Sequence, residues 1–233
     1  FGVLPVWPQE PEAAPPPRPL YEYRQQHDPY GIGKFYMGRE IARVMSYRGA
    51  GWLERPERVR EEEPEKLLAA LELKDGLVVA DVGAGSGYHS VRIAPRVAPR
   101  GKVLACDIQP EMLDLIAAKA RRLKLTNIET IRGTPQDPRL PAEAVDLILM
   151  VDVYHEFEYP YEMMEKLVAA LKPGGLLLVD DRSARRWLPP APLEAAQRLA
   201  GGRRSRDEGR AVVVLKSPCL FASRRHWSDS AWV

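Results

Sequence analysis

The stretch that most constrains this chain is Val78-Val79-Ala80-Asp81-Val82-Gly83-Ala84-Gly85-Ser86-Gly87-Tyr88-His89, an apolar run that ends in an acid and three alternating glycines. A short run of this kind reads as a buried parallel strand, because both of its faces need cover. The glycines let the backbone turn sharply into a helix and approach a ligand closely, and the free N–H groups of that helix N-terminus favour a polar or anionic ligand group. The dinucleotide fingerprint G-x-G-x-x-G has a helix-packing glycine at its sixth place, whereas here the glycines are evenly spaced and Tyr88 stands at that place.

From Leu77 the pattern alternates strand and helix, which predicts parallel βαβ units with right-handed crossovers. Strands are expected at about 77–82, 102–108, 127–132, 144–152 and 176–180. Helices are expected at about 87–97, from Pro110 onward, and at about 160–171, with Lys172-Pro173-Gly174-Gly175 as a turn. The fold class is therefore α/β, a Rossmann-like doubly wound, mostly parallel sheet.

Four segments follow: a Pro-rich disordered linker over 1–29, an N-terminal helical cap over 30–74, the α/β core over 75–181, and an irregular Arg/Pro-rich tail over 182–233. In the cap, Ile41, Val44 and Met45 stand at helical spacing after Gly38, which predicts a short helix at about 38–48, and Arg55-Pro56-Glu57 opens a second helix with Leu67, Leu68 and Leu71 as its apolar stripe. The cap packs on the sheet or, in a sharper reading, forms a lid with Tyr30, Lys34, Tyr36 and Trp52. The run Glu61-Glu62-Glu63 reads as a solvated helix face. In the tail only Ala211–Leu215 reads as a strand, with a turn or two of helix at 193–200.

The net charge of +2 conceals an asymmetry, since residues 182–233 hold ten Arg and one Lys against four acids, a tail of +7 that leaves −5 for the rest. A basic excess confined to one tail does not indicate a nucleic-acid binder. No run approaches the roughly 18 apolar residues of a membrane helix, so no membrane partner is expected. Cys106 and Cys219 form neither a disulfide framework nor a metal-ligand spacing. The cytoplasm is the expected compartment, with export after removal of an upstream signal peptide as the alternative.

In a doubly wound sheet ligands bind outside the C-terminal strand ends, near the switch point. Asp81, Asp107 and Asp152 stand at such ends. Asp107 lies twenty residues past Gly87, where a carboxylate can accept hydrogen bonds from both hydroxyls of a ribose.

These residues resemble the class I S-adenosylmethionine-dependent methyltransferases over roughly residues 75–181. The glycine loop after Asp81 looks like the family's first motif, and Val103–Asp107 like its ribose-binding strand. The segment Asp146 to Glu156 is similar to the motif around strand four, and Leu171–Gly175 to the junction before strand five. The segment from Tyr36 to Pro56 also looks like the front end of an uncharacterised bacterial branch. The resemblance implies S-adenosylmethionine as cofactor. Asp81, Gly83, Ala84, Gly85 and Gly87 would hold its methionine part, Asp107 the ribose, and Ile108 the adenine. Gln136 or Asp137 would stand in for the family's adenine-binding acid, Met150 and Asp152 would line the cofactor edge, and Asp152, Tyr154 and His155 would face the acceptor.

Displacement at a sulfonium needs mainly positioning and desolvation. If the acceptor must lose a proton, His155 is the leading base, because an imidazole titrates near neutrality, and His89 is second. Tyr88 and Tyr154 read as an aromatic wall or as core. The Asp/Asn-Pro-Pro-aromatic motif of nucleic-acid base N-methylation is replaced by Asp152-Val-Tyr-His. A small-molecule acceptor and no metal are the expectations. The alternatives are an NAD-dependent oxidoreductase, which lacks its sixth-place glycine here, and a non-catalytic nucleotide-binding protein. The family's C-terminal hairpin is not legible after Asp181, and a tail read out of frame from about residue 182 would explain that.

Overall fold

Where a helix was expected at 38–48, the chain forms a hairpin. The computed structural model describes residues 19–181 and the backbone of residues 211–216. Strands β1 (Tyr21–Tyr23), β2 (Gly31–Tyr36) and β3 (Arg39–Ala42) make an antiparallel sheet in that order. Met37 and Gly38 both take positive φ, 51° and 78°, as a two-residue hairpin turn requires. The Glu40 carboxylate then accepts from the backbone N–H of Gly33 at 2.8 Å and of Asp28 at 2.9 Å, stapling the loop before β2 onto β3. Residues 21–23, placed in the expected linker, thus belong to a sheet; residues 1–18 lie outside the described residues.

A strap follows over residues 43–70, comprising an extended lead-in, a 3-10 turn (Tyr47–Gly49) and the helices α1 (Ala50–Leu53), α2 (Arg58–Glu62) and α3 (Pro64–Ala70). The second expected helix is split at Glu63, whose φ is 43°. The N-terminal cap is therefore strand in its first half and short helices in its second.

The core follows the expected alternation: β4 (Val78–Val82), α4 (Ser90–Val97), β5 (Lys102–Asp107), α5 (Pro110–Arg122), β6 (Ile128–Arg132), β7 (Val145–Val151), α6 (Pro160–Ala170) and β8 (Leu171–Asp181). Strand β8 takes in the expected Lys172–Gly175 turn, with a register shift opposite β7 between Val145 and Leu147. Strand β9 (Ala211–Lys216) pairs antiparallel with β8 and covers that sheet edge. The sheet order is β6-β5-β4-β7-β8-β9, with the first five strands parallel. The fold is Rossmann-like and doubly wound. The rest of the tail, including residues 193–200, Cys219 and the proposed change of frame, lies outside the described residues.

Alternate residues of the strands feed two cores, as the period of two demands. Ala80, Ile148, Met150 and Leu177 pack with Met164 and Leu167 of α6. Val79, Val103, Leu147 and Leu149 pack with Ile93 of α4 and Leu68 of α3. Among the described residues no helix is long and apolar enough to cross a membrane.

Candidate functional site

One cavity of about 420 Å³ opens over the C-terminal ends of β4, β5 and β7, roofed by the strap. The turn after β4 forms its floor. Gly83 has a φ of 69°, and a Cβ there would stand 2.2 Å from Val153 Cγ2, so only glycine suits this crossing of β4 and β7. The N–H groups of Gly83 and Ala84 donate to Cys106 O at 2.9 and 3.0 Å. Asp107 Oδ2 accepts from Gly85 N, and its Oδ1 from Gln109 N, each at 2.9 Å. Burial pushes the Asp107 carboxyl up, against the pull of these backbone hydrogen bonds and that of Ile108. Each oxygen keeps a lone pair for the cavity.

Asp81, at the end of β4, accepts from Ser90 Oγ at 2.5 Å. Burial raises its pKa to about 6; Ser90 and Arg58 oppose the rise, and Asp107 adds to it. A buried carboxyl of this kind gains from meeting a cationic ligand group. Asp81, Gly83, Ala84, Gly85, Asp107, Ile108, Asp152 and His155 all line the cavity.

Other expected site residues do not line it. Met150 is fully buried in the α6 core, because its place on β7 points it to that face. Tyr154 is core as well, packed on Phe157 with ring centroids 5.8 Å apart. Gly87 lies beneath the loop, where a Cβ would come within 2.9 Å of Ile116. Gln136 is exposed, while Asp137 staples its own turn by accepting from Arg139 N at 2.6 Å; Thr134, Pro135 and Pro138 form that wall instead. Of the four expected lid residues only Trp52 lines the cavity. Tyr30 is 82% exposed, and Lys34 and Tyr36 are buried in the N-terminal sheet.

Several residues that the sequence did not single out complete the site. The Gln109 side chain clamps the strap, accepting from Tyr47 N at 2.8 Å and donating to Met45 O at 2.9 Å. Glu54, on the strap, accepts from the Ser86 hydroxyl of the glycine loop and from Lys119. Glu62 is buried rather than solvated: it pairs with Arg58, which also donates to Leu53 O at 2.9 Å, and with Arg55 at 3.0 Å. Both Glu62 and Arg58 line the cavity. His89, the second base candidate of the sequence, lines it too, with Nε2 at 3.5 Å from Arg58.

At the β7 end, Asp152 takes a φ of 49°, a conformation of the kind that clusters at functional sites in non-glycine residues. The turn it starts brings His155 Nδ1 to 2.9 and 3.1 Å from the two oxygens of Asp181, and His155 N to 3.1 Å from Oδ2. Burial works against a charged His155, but the hydrogen bond and charge of Asp181, then Glu156 and Asp152, outweigh it and raise its pKa. Burial pushes Glu156 up to about 7, against the pull of His155 and the N–H of Met45. Asp181 is fully buried and four strands away from β4 in sequence, so only the fold joins it to His155.

The comparisons agree with this geometry. Residues 79–175 match the model of a methyltransferase domain. A solved S-adenosylmethionine-dependent methyltransferase of Aquifex aeolicus superposes with a TM-score of 0.61 at 29% identity, covering 74% of this chain and 100% of that one. Residues 79–175 are a class I S-adenosylmethionine-dependent methyltransferase domain. Among curated proteins, this chain is similar to the protein-L-isoaspartate O-methyltransferase of Pyrococcus horikoshii, 28% identical over 148 residues, which are 64% of this chain and 63% of that protein. An uncharacterized methyltransferase-like protein of Schizosaccharomyces pombe is 34% identical over 101 residues, 43% of this chain and 36% of that protein. The chain thus spans less than two thirds of the length of either curated relative.

Proposed function

We propose that the chain transfers the methyl group of S-adenosylmethionine to a small-molecule acceptor. One observation carries this reading: a single cavity joins the Asp81 and Asp107 carboxyls and the glycine turn to His155 and its partner Asp181. The donor set fits the cofactor. Asp81 offers a buried carboxylate to the methionyl ammonium, Asp107 offers two acceptor oxygens to the ribose hydroxyls, and Ile108 with the Gly133–Pro135 wall packs the adenine. When bound, S-adenosylmethionine supplies a methyl group on a sulfonium, whose departure needs no acid.

The chain's own residues do the rest. The strap, through Val44, Met45, Trp52 and Leu53, excludes water. Asp181 holds His155 by Nδ1, which leaves Nε2 to take a proton from the acceptor. Because Asp181 raises the pKa of His155, the neutral, base-competent imidazole is reached at higher pH than for an ordinary imidazole. A phenolic, hydroxyl or amine acceptor suits such a base. A carboxylate acceptor is disfavoured, because Asp152, Glu156 and Glu158 share that end of the cavity.

Calorimetry on the full chain tests the cofactor: S-adenosylmethionine and S-adenosylhomocysteine are expected to bind saturably and NAD not at all. Binding of NAD alone would instead favour an oxidoreductase. Formation of S-adenosylhomocysteine over a panel of phenols, amines and carboxylates then tests the acceptor. Binding without turnover on any of them would favour a nucleotide-binding protein without catalysis.

A further inference from the structure

The Asp181 contact fixes one nitrogen of the His155 ring and leaves the other beside Glu156. Nδ1 meets the Asp181 carboxylate at 2.9 and 3.1 Å, so Nε2, on the far side of the ring, is the nitrogen left for the cavity. Glu156 Oε1 stands 4.0 Å from it. That gap is too wide for a hydrogen bond between the two and suits one atom shared by both. Oε1 is itself held, accepting from Met45 N at 3.2 Å, and a carboxylate oxygen with one such bond keeps a lone pair. Both residues line the cavity, and one 3-10 turn (Tyr154–Glu156) carries both, so the backbone sets their separation.

An atom about 2.8–3.0 Å from both acceptors sees them roughly a right angle apart. With Nδ1–H donated to Asp181, the neutral ring presents Nε2 as an acceptor, and the Glu156 carboxylate is an acceptor too. The shared atom must therefore donate twice. A nitrogen bearing two or more hydrogens does so, whereas a hydroxyl has one and would turn its lone pairs on the carboxylate. The surroundings favour a nitrogen that is charged. Asp152 and Glu158 line the same end of the cavity, and burial pushes Glu156 up to about 7, a penalty on its ionised form that a neighbouring cation relieves. Phe157, the next residue, and Met163 of α6 belong to one apolar cluster and also line the cavity, offering a wall to the carbon skeleton.

We propose that the methyl acceptor is a primary or secondary amine, which docks as its ammonium by donating one N–H to His155 Nε2 and another to Glu156 Oε1. The inference deepens the reading of His155 as base and rests on it. Nε2 takes one of the two protons, and the electron pair of that N–H bond becomes the lone pair of the amine. That lone pair forms the N–C bond to the methyl group while the C–S bond breaks, its electron pair staying on sulfur. The product leaves as a methylated ammonium, and the imidazolium returns its proton to water. The second N–H stays on Glu156 throughout and orients the nitrogen. A tertiary amine has a single N–H as its ammonium, so methylation ends there.

The test follows the His155 ring by NMR, assigned by the signal lost in His155→Gln. Methylammonium, dimethylammonium, trimethylammonium, tetramethylammonium and methanol are titrated into the full chain above neutral pH, with and without S-adenosylhomocysteine. The first two are expected to bind saturably, and the other three to bind weaker by roughly tenfold or more. Glu156→Gln is expected to weaken the first two by roughly tenfold, as for a hydrogen bond that loses its charged partner. Equal binding of the four cations would reduce the site to charge attraction and overturn the proposal. So would tighter binding of methanol, no saturable binding of methylammonium, or a folded Glu156→Gln variant that binds methylammonium as the wild type does. The cation series decides in the wild-type chain even where that variant does not fold. Methylation of phenols or alcohols but of no amine would sink the amine and leave methyl transfer standing, whereas amine docking without binding of S-adenosylhomocysteine would sink methyl transfer itself.

Discussion

The two ends of the cavity are held together by different means. At the glycine-loop end, Asp81, Gly83, Gly85 and Asp107 come from two neighbouring strands and the turn between them, and backbone groups do most of the holding. At the other end, His155 is held by Asp181 from β8, Glu156 by Met45 of the strap, and Tyr154 lies beneath Arg39 of β3. The first end is a property of local chain geometry. The second is assembled by side chains from four separate elements, so its chemistry can be retuned without disturbing the fold, and it is correspondingly easier to break by remote changes.

The sharpest way to break that contrast is at Gly83. A methyl group there would stand 2.2 Å from Val153 on a backbone with a φ of 69°. Overpacking together with left-handed strain is expected to destabilise Gly83→Ala by about 2–4 kcal/mol, read by urea unfolding of the full chain. A loss below about 1 kcal/mol would show that the turn yields, and the glycine-loop end would then be no more rigid than the other. Next in size is Asp107→Ala. It is expected to weaken S-adenosylhomocysteine binding by about 1.5–3 kcal/mol, as for hydrogen bonds to a charged group. Unchanged affinity by calorimetry would move the ribose elsewhere.

The same contrast decides what could be read before the fold was known. The strand order, the glycine turn and the carboxylates at the ends of β4 and β5 were legible because each is a local pattern: an apolar run, a breaker, an acid at a fixed offset. Asp181 was legible only as the end of a strand, since its partner His155 lies 26 residues earlier and nothing local links the two. Met150 misled because a strand residue one place from the cavity points to the opposite core. The β2–β3 hairpin was missed because Ile41, Val44 and Met45 mimic a helical stripe; Met37-Gly38, a pair able to take positive φ at a hairpin corner, was the signal that could have found it. Glu62 read as solvated among three consecutive acids, and only Arg55 and Arg58 folding back over it explain its burial.

A smaller effect, set by pH, separates the two ends further. Asp81 is raised from 3.8 to about 6 in the folded chain, so the folded state holds this proton more tightly than the unfolded one. The associated stability is present at low pH and is lost as the pH rises from about 4 through about 6. Binding of a cationic group by the ionised carboxylate runs the other way. Affinity for S-adenosylhomocysteine, which keeps the methionyl ammonium, is expected to fall by up to about tenfold for each pH unit below about 6. Asp107 and Glu156 are raised too, so Asp81→Asn is the control: it should remove most of the slope. A slope that persists would assign the proton to another carboxyl and take the ammonium away from Asp81.

The smallest expected effect lies where the two ends meet, at Gln109. This residue follows β5 on the glycine-loop side, yet its amide holds the strap by Tyr47 N at 2.8 Å and Met45 O at 2.9 Å. Met45 N is held from the other end, by Glu156 at 3.2 Å. Gln109→Ala removes the first two bonds and leaves the third, a loss of about 1 kcal/mol for partly exposed neutral hydrogen bonds. Hydrogen exchange at Tyr47 is then expected to quicken by roughly fivefold, the factor that this free energy implies for a local opening. What happens at Met45 discriminates. If its amide exchanges at the wild-type rate, Glu156 alone keeps that part of the strap closed and the two ends open independently. If Met45 quickens with Tyr47, the strap opens as one body, and the cavity has a single gate that both ends must close.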